Sequence, residues 1–319
     1  MNHLSEKVIS LKGRDLLTLL DYAPEEVQQL LTQAHELKQK AKNGEPTPYL
    51  TGKSLGMIFE NASTRTRVSF EVGMTQLGGH ALFLSPKDLQ IGRGEPIKDT
   101  ANVLSRYVDA IMIRTNSHES VEELAHYATV PVINALTDAY HPCQALADAL
   151  TILEKKETLI GKKLAYIGDG NNVCHSLLAI GAKTGMDVTV ATPKGYEVDQ
   201  EIFQRATEAA KETGATLVQT TNPQVAAENA DAIYTDVWAS MGYEAEQSER
   251  EEIFQPYQVN DQLLTLAKKD VSFLHCLPAH RGEEVTASVI DGPHSAIYDQ
   301  AENRLHAQKA VLTALLTGE

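Results

Sequence analysis

Three hydroxyls and two arginines occupy five consecutive positions, Ser63-Thr64-Arg65-Thr66-Arg67. A hydroxyl-rich turn that opens a helix presents unpaired backbone N–H groups and the positive end of the helix dipole. Arg65 and Arg67 add planar guanidinium donors that match phosphate oxygens. The chemistry is anion binding. The plain alternative is an ordinary Ser/Thr-capped helix with solvated arginines. Arg114 and the run His141-Pro142-Cys143-Gln144 add a cation, an imidazole and an amide. A different set follows: Gly168-Asp169-Gly170-Asn171-Asn172, Asp236, and Cys276-Leu277-Pro278. It offers amides, a carboxylate and a thiol. The first set suits an anion, the second a small polar partner.

Each of these residues also has a bland reading. Arg114 alone is a surface arginine, and His141 alone a satisfied structural histidine. Asp236 alone caps a turn, and Cys276 alone is a small buried hydrophobe. His275 reads as structural and Trp238, the single tryptophan, as packing. The glycine-rich stretch Ile167–Val173 resembles a dinucleotide fingerprint, but Val173 occupies its third glycine position. The next strand ends in Val190-Ala191-Thr192-Pro193, without an acid for a ribose, so a dinucleotide site is not expected. The glycines instead give a tight turn that exposes Asn172.

These residues need elements to hold them. Helical periodicity runs through 24–42, with Pro24 in the first turn and Gly44 beyond the end. Strands are predicted at 54–59, 81–84, 108–113 and 130–134, with helices at 63–77, 97–107, 121–128 and 142–156. The pattern restarts with strands at 163–167, 187–191, 215–219, 232–235 and 271–275. Helices are predicted at 172–184, 198–213 and 302–317. Alternating βα units of this kind imply parallel sheets flanked by helices, an α/β fold in two lobes. The expected division is 1–150 and 151–301, with the last helix packing back on the first lobe. Residues 238–258 are polar and acidic and read as a long functional or mobile loop. Ligands of open parallel sheets sit beyond the carboxyl ends of the strands. The chemistry-bearing residues above fall at or just beyond predicted strand ends.

Bulk composition narrows the function. At roughly 150 residues per domain, the 319 residues make two domains. A formal net charge of −15 argues against a nucleic-acid binder. It leaves a small anionic substrate open, because nearby arginines outweigh distant screened charges. Three cysteines with no zinc spacing point to a reducing, cytoplasmic setting. No stretch reads as a signal peptide or a membrane span.

Taken in order, Ser63–Arg67 (STRTR), His141–Gln144 (HPCQ), Asp236–Gly242 (DVWASMG) and His275–Arg281 (HCLPAHR) resemble the motifs of the aspartate/ornithine transcarbamylase family. The resemblance covers nearly the whole chain. STRTR and HP-x-Q are shared across transcarbamylases. Asp236 with Ser240-Met241, and Cys276-Leu277-Pro278, are similar to the ornithine branch. The resemblance implies a carbamoyl-phosphate lobe followed by an amino-acid lobe, no metal or other cofactor, and a homotrimer or a multiple of trimers. It implies carbamoyl-phosphate contacts from Ser63, Thr64, Arg65, Thr66, Gln90, Arg114, His141, Pro142, Cys143 and Gln144. Arg304 matches the arginine that approaches the carbamoyl group. Asn172, Asp236, Ser240 and Met241 match ornithine contacts, with Cys276 and Leu277 between the two ligands. Around Gln90 the chain departs from many relatives, which carry histidine and lysine where Arg93 and Gly94 stand.

The reaction so implied gives L-citrulline and phosphate from carbamoyl phosphate and L-ornithine. Arg65 and Arg114 neutralise phosphate, and Thr66, His141 and Arg304 face the developing oxyanion. Asp236 and Asn172 orient ornithine. The amine proton has two acceptors open to it, Cys276 and the departing phosphate. Two alternatives stand beside this reading. One is a transcarbamylase with another acceptor, such as putrescine or aspartate. The other is a catalytically silent protein of the same fold.

Overall fold

The computed structural model describes residues 9–85, 89, 94–239 and 247–318. By their contacts, residues up to Leu17, Glu25–Thr137 and Arg304 onward form one unit, and Thr18–Pro24 with Asp138–Asn303 form a second.

The first unit contains α1 (Pro24–Lys42), which begins at the division, then β1 (Ser54–Phe59), α2 (Thr64–Gln76), β2 (His80–Leu84), α3 (Ile97–Leu104), β3 (Ala110–Arg114), α4 (His118–Tyr127) and β4 (Val132–Leu136). Its sheet is parallel throughout, in the order β2-β1-β3-β4. Strand order therefore reverses between β1 and β3, which opens a crevice at their carboxyl ends. Ile58, Ile111, Ile113 and Val132 of the sheet pack with Ala101 of α3 and Val121 and Leu124 of α4. Burial of one aliphatic side chain of this kind contributes roughly 1.5–3 kcal/mol.

The second unit holds α5 (Pro142–Lys156), β5 (Lys163–Ile167), α6 (Asn172–Thr184), β6 (Asp187–Ala191), α7 (Gln200–Thr213), β7 (Leu217–Thr220), α8 (Pro223–Ala227) and β8 (Ala232–Tyr234). After these come α9 (Gln247–Phe254), α10 (Asp261–Leu264), β9 (Ser272–Leu274), α11 (Ala287–Ile290) and the start of α12 (Ile297–Thr317). This sheet is also parallel, in the order β7-β6-β5-β8-β9. It reverses between β5 and β8. Its core includes Ile167, Ile233, Val259, Phe273, Val285 and Ile297. Helix α5 groups with this unit rather than with the first sheet.

The short helices α8, α10 and α11 have no counterpart among the predicted elements, and two longer elements also differ from the sequence expectation. Residues 247–254 of the supposed loop form α9, anchored by Arg250. Its guanidinium is buried against Asp169 at 2.7 Å and the Trp238 carbonyl at 2.8 Å, and it lies over the Tyr196 ring. The acidic composition hid a helix held by one buried cation and by Phe254, which is fully buried against Tyr196, Trp238 and Tyr257. Helix α12 starts at Ile297, five residues before the predicted start at 302. Its first turns bury Gln300 and Asn303 beside Ile297, so the apolar stripe is broken by amides and hydrophobic periodicity does not reveal it. Among the described residues no helix is long and apolar enough to cross a membrane.

Candidate functional site

In the first unit, the STRTR turn leaves β1 and Arg114 ends β3, with Phe59 and Arg114 in register at the crevice. Ser63 is extended (φ −156°, ψ 109°), and its hydroxyl accepts the Thr66 N–H at 3.3 Å, capping α2. The first turn of α2 contains no acid. Instead it carries Arg65 and Arg67, two cations where the helix dipole disfavours them. A local choice that opposes stability is a mark of function. The two arginines are not equivalent. Arg67 pairs with Glu71 at 2.9 Å and lies 3.7 Å over the Phe83 ring. Arg65 is half-buried, and no described residue pairs with its guanidinium. Thr64 is exposed, whereas Thr66 is buried and its hydroxyl meets Arg304 Nη2 at 3.2 Å. Helix α12 thus supplies a second, buried guanidinium at the start of α2. A Cβ on Gly73 would stand 3.4 Å from Lys309 Cγ, so α2 and α12 approach closely along this face.

In the second unit, Gly168–Asn172 follows β5, Asp236 follows β8 and Cys276 follows β9. Asn171 caps α6: its Oδ1 accepts from Val173 N and Cys174 N, each at 3.1 Å, and from the Tyr166 hydroxyl at 3.2 Å. Its Nδ2 donates to Asp236 Oδ2 at 2.9 Å. Asp236 Oδ1 accepts from its neighbour Val237 N at 2.9 Å and from the Cys276 thiol at 3.0 Å. Asp236, Asn171 and Cys276 therefore form one cluster at the β5–β8 reversal. Asn172 is the first residue of α6, and its carbonyl accepts the Ser176 hydroxyl at 2.8 Å. Burial and the adjoining Asp236 carboxylate push the Cys276 thiol well above its ordinary range, so it stays protonated and donates.

The HPCQ turn opens α5. His141 is buried, and its N–H donates to Ser176 Oγ at 2.7 Å. Pro142 fills the first helical position, and Cys143 is fully buried behind it. Gln144 Nε2 donates to Asp148 Oδ1 at 2.7 Å, and Gln300 Nε2 donates to the same oxygen at 2.7 Å. Gln300 Oε1 in turn accepts the His275 N–H at 2.9 Å. One buried carboxylate thus ties the HPCQ turn to the segment that runs from β9 to Cys276. His275 Nδ1 accepts the Leu277 N–H at 2.9 Å, and its Nε2 faces Glu284 Oε1 at 3.1 Å. Leu277 has a left-handed φ of 60°, an unfavourable conformation for a branched side chain, and the His275 ring holds its N–H there.

Asp148, Gln300 and Glu284 belong to none of the sequence motifs, and Asn171 stands there only beside Asn172, without a role of its own. Only Asp148 carried a signal, as an acid inside an otherwise apolar helix. Gln90, Arg93, Ser240 and Met241 lie outside the described residues; Gly94 is within them, with φ at 94°.

Comparison with known proteins closes the question of kinship. Residues 14–154 match the carbamoyl-P binding domain of aspartate/ornithine carbamoyltransferases, and residues 160–315 match their Asp/Orn binding domain. An ornithine carbamoyltransferase of Halalkalibacterium halodurans is 99% identical over 319 residues, all of both chains. One from Bacillus subtilis is 61% identical over 96% of this chain and 95% of its own. The ornithine carbamoyltransferase structure from Pyrococcus furiosus superposes with a TM-score of 0.95 at 59% identity, over 98% of this chain and 100% of that one. The chain belongs to the aspartate/ornithine carbamoyltransferase family.

Proposed function

We propose that the protein transfers the carbamoyl group of carbamoyl phosphate to the side-chain amine of L-ornithine, giving L-citrulline and phosphate. The relatives named above carry that activity in their names. The observation that carries the ornithine reading is Asp236, a buried acid held by Asn171 and the Cys276 thiol at a strand-order reversal. Such a carboxylate recognises the α-ammonium of an amino acid. An aspartate acceptor would call for cations in the DVWASMG segment, which has none. Putrescine has no α-carboxylate for Asn172 to orient.

Carbamoyl phosphate is taken by the α2 N-terminus, with Ser63, Thr64 and Arg65, and by Arg114. His141 and Gln144, with Pro142 and Cys143 fixing their turn, complete its contacts, and Gln90 adds one more. Thr66, His141 and Arg304 face the carbonyl oxygen as it gains charge. Ornithine is held by Asp236, Asn172, Ser240 and Met241, beside Leu277. Its neutral side-chain amine forms the new C–N bond, and the bond between the carbamoyl carbon and the phosphate oxygen breaks. The departing phosphate is a base that can carry the amine proton away, and the raised Cys276 thiol acts as a hydrogen-bond donor to Asp236. Cys276 keeps Asp236 aimed and donates to it.

The subunit forms a homotrimer or a multiple of trimers. An exposed apolar patch of Val68 and Val72 on α2 with Leu82 and Phe83 on the edge strand β2 supports a subunit contact beside the STRTR turn. Three free cysteines support a reducing, cytoplasmic setting. The test is citrulline formation from carbamoyl phosphate and ornithine, with putrescine and aspartate as competing acceptors. Faster turnover of either competitor, or none with ornithine, defeats the reading. Light scattering of the eluting protein tests the trimer.

A further inference from the structure

The tight turn that follows Cys276-Leu277-Pro278 gathers three metal-ligating side chains unused by the reaction, those of His280, Glu283 and Glu284. One ligand atom from each lies within 4.8 Å of the others. His280 Nδ1 stands 3.4 Å from Glu283 Oε2 and 4.0 Å from Glu284 Oε2. In a tetrahedral zinc site with bonds near 2.0–2.2 Å, neighbouring ligand atoms are about 3.3 Å apart. The His280–Glu283 separation already matches that spacing, and the remaining ones, none above 4.8 Å, must contract for the donors to close on one ion.

The turn is built to keep them there. Gly282 adopts φ 97°, and its N–H donates to the Val285 carbonyl at 2.8 Å, folding the turn back on itself. Glu284 is fully buried, and its Oε1 accepts from the His280 N–H at 2.6 Å and faces His275 Nε2 at 3.1 Å. The carboxylate cannot rotate without losing both. Its other oxygen, Oε2, is buried, accepts no hydrogen bond from any described residue, and faces His280. An unanswered buried oxygen is what a bound cation satisfies. Arg281, the nearby cation, is turned away onto Asp291 with contacts of 2.8 and 2.7 Å.

We propose that His280, Glu283 and Glu284 form a divalent-cation site of the zinc class, with water completing the coordination. Two carboxylates and a neutral imidazole carry the charge that such an ion needs. The site is distinct from the group of Asp236, His275 and Cys276, whose ligand atoms also lie close enough together to take a metal. The two groups meet at Glu284, whose first oxygen supports His275 and so the Leu277 turn.

The test is calorimetric titration of zinc into chelator-stripped protein carrying Cys276→Ser, which disables the neighbouring cluster. One equivalent is expected to bind. Adding His280→Ala or Glu283→Gln is expected to weaken it at least tenfold. Both residues are partly exposed, so the folded state survives, and the melting temperature of each metal-free variant checks this. On the otherwise unaltered chain the same two substitutions are expected to leave metal-free citrulline turnover unchanged. Loss of zinc binding on Cys276→Ser alone, or unweakened binding in both double variants, overturns the proposal. A collapse of metal-free turnover in both overturns the claim that the site is separate.

Discussion

The two half-sites solve positioning in opposite ways. In the first unit, a helix N-terminus carries cations where its dipole disfavours them, and Arg65 has no described partner. In the second, Asp236 has three donors around it, and Asp148 joins two amides deep in the unit. An anion can complete an electrostatic frame that is strained without it. A flexible cationic amino acid gains more from groups already fixed, because ordering them on binding would subtract from affinity. The first half-site stores its selectivity as unmet charge, the second as hydrogen-bond geometry.

The comparison breaks most visibly at Arg65. Loss of one charge-assisted contact costs about 1.5–3 kcal/mol, so Arg65→Ala should weaken carbamoyl phosphate roughly tenfold to more than a hundredfold and nearly abolish turnover. Calorimetry with carbamoyl phosphate checks it, and near-normal affinity rules out the STRTR cradle. In the second unit the matching break is to stability. Asp148→Ala removes the acceptor that Gln144 and Gln300 share, at about 1–3 kcal/mol. A drop under about 1 kcal/mol in urea unfolding would mean the network is incidental.

Asp236→Asn keeps the shape and removes the charge. It should raise the ornithine KM about tenfold or more, in line with a lost charged pair, while carbamoyl phosphate binds as before. Equal loss for both ligands makes Asp236 a fold residue. Cys276→Ser has a smaller effect, a lower kcat and a higher ornithine KM, with a pH profile of unchanged shape from pH 6 to 10. A profile limb that disappears with the thiol would mean it titrates during turnover. The raised thiol also carries a stability signature. Unfolding releases a thiol that ionises in its ordinary range, while the folded one stays protonated. The contribution is therefore full below that range and falls as pH rises through it. Melting temperature against pH should decline less steeply in Cys276→Ser. Least affected is Arg67→Ala, whose exposed pair with Glu71 is worth at most ~1 kcal/mol; carbamoyl phosphate affinity within about twofold of the parent is expected. A large loss would erase the distinction between the two arginines.

Much of this arrangement was legible in the residues. STRTR, HPCQ and the residues following β5, β8 and β9 fall at the carboxyl ends of parallel strands, and strand periodicity alone located those ends. Asn171 was not separable from Asn172, because the two are adjacent amides and only the cap geometry assigns Oδ1 to the helix and Nδ2 to Asp236. Asp148 and Gln300 are 152 positions apart, and a contact of that span leaves no trace in local pattern. Glu284 reads as one more acid in the run Gly282-Glu283-Glu284 until its burial beneath His275 is seen.

Thr66 and Arg304 meet across 238 positions. A ribosome issuing roughly 5–20 residues per second takes about 10–50 s to travel that distance. For most of that interval the nascent chain already owns β1, α2, β3 and their arginines, yet α2 lacks the helix that packs along Gly73. The anion cradle is among the first things synthesised and the last completed. A product cut short before Arg304 retains every STRTR residue and still lacks the guanidinium that meets Thr66. Elongation speed and release of the C-terminus thus join the list of factors that decide when a newly made subunit can first hold its substrate.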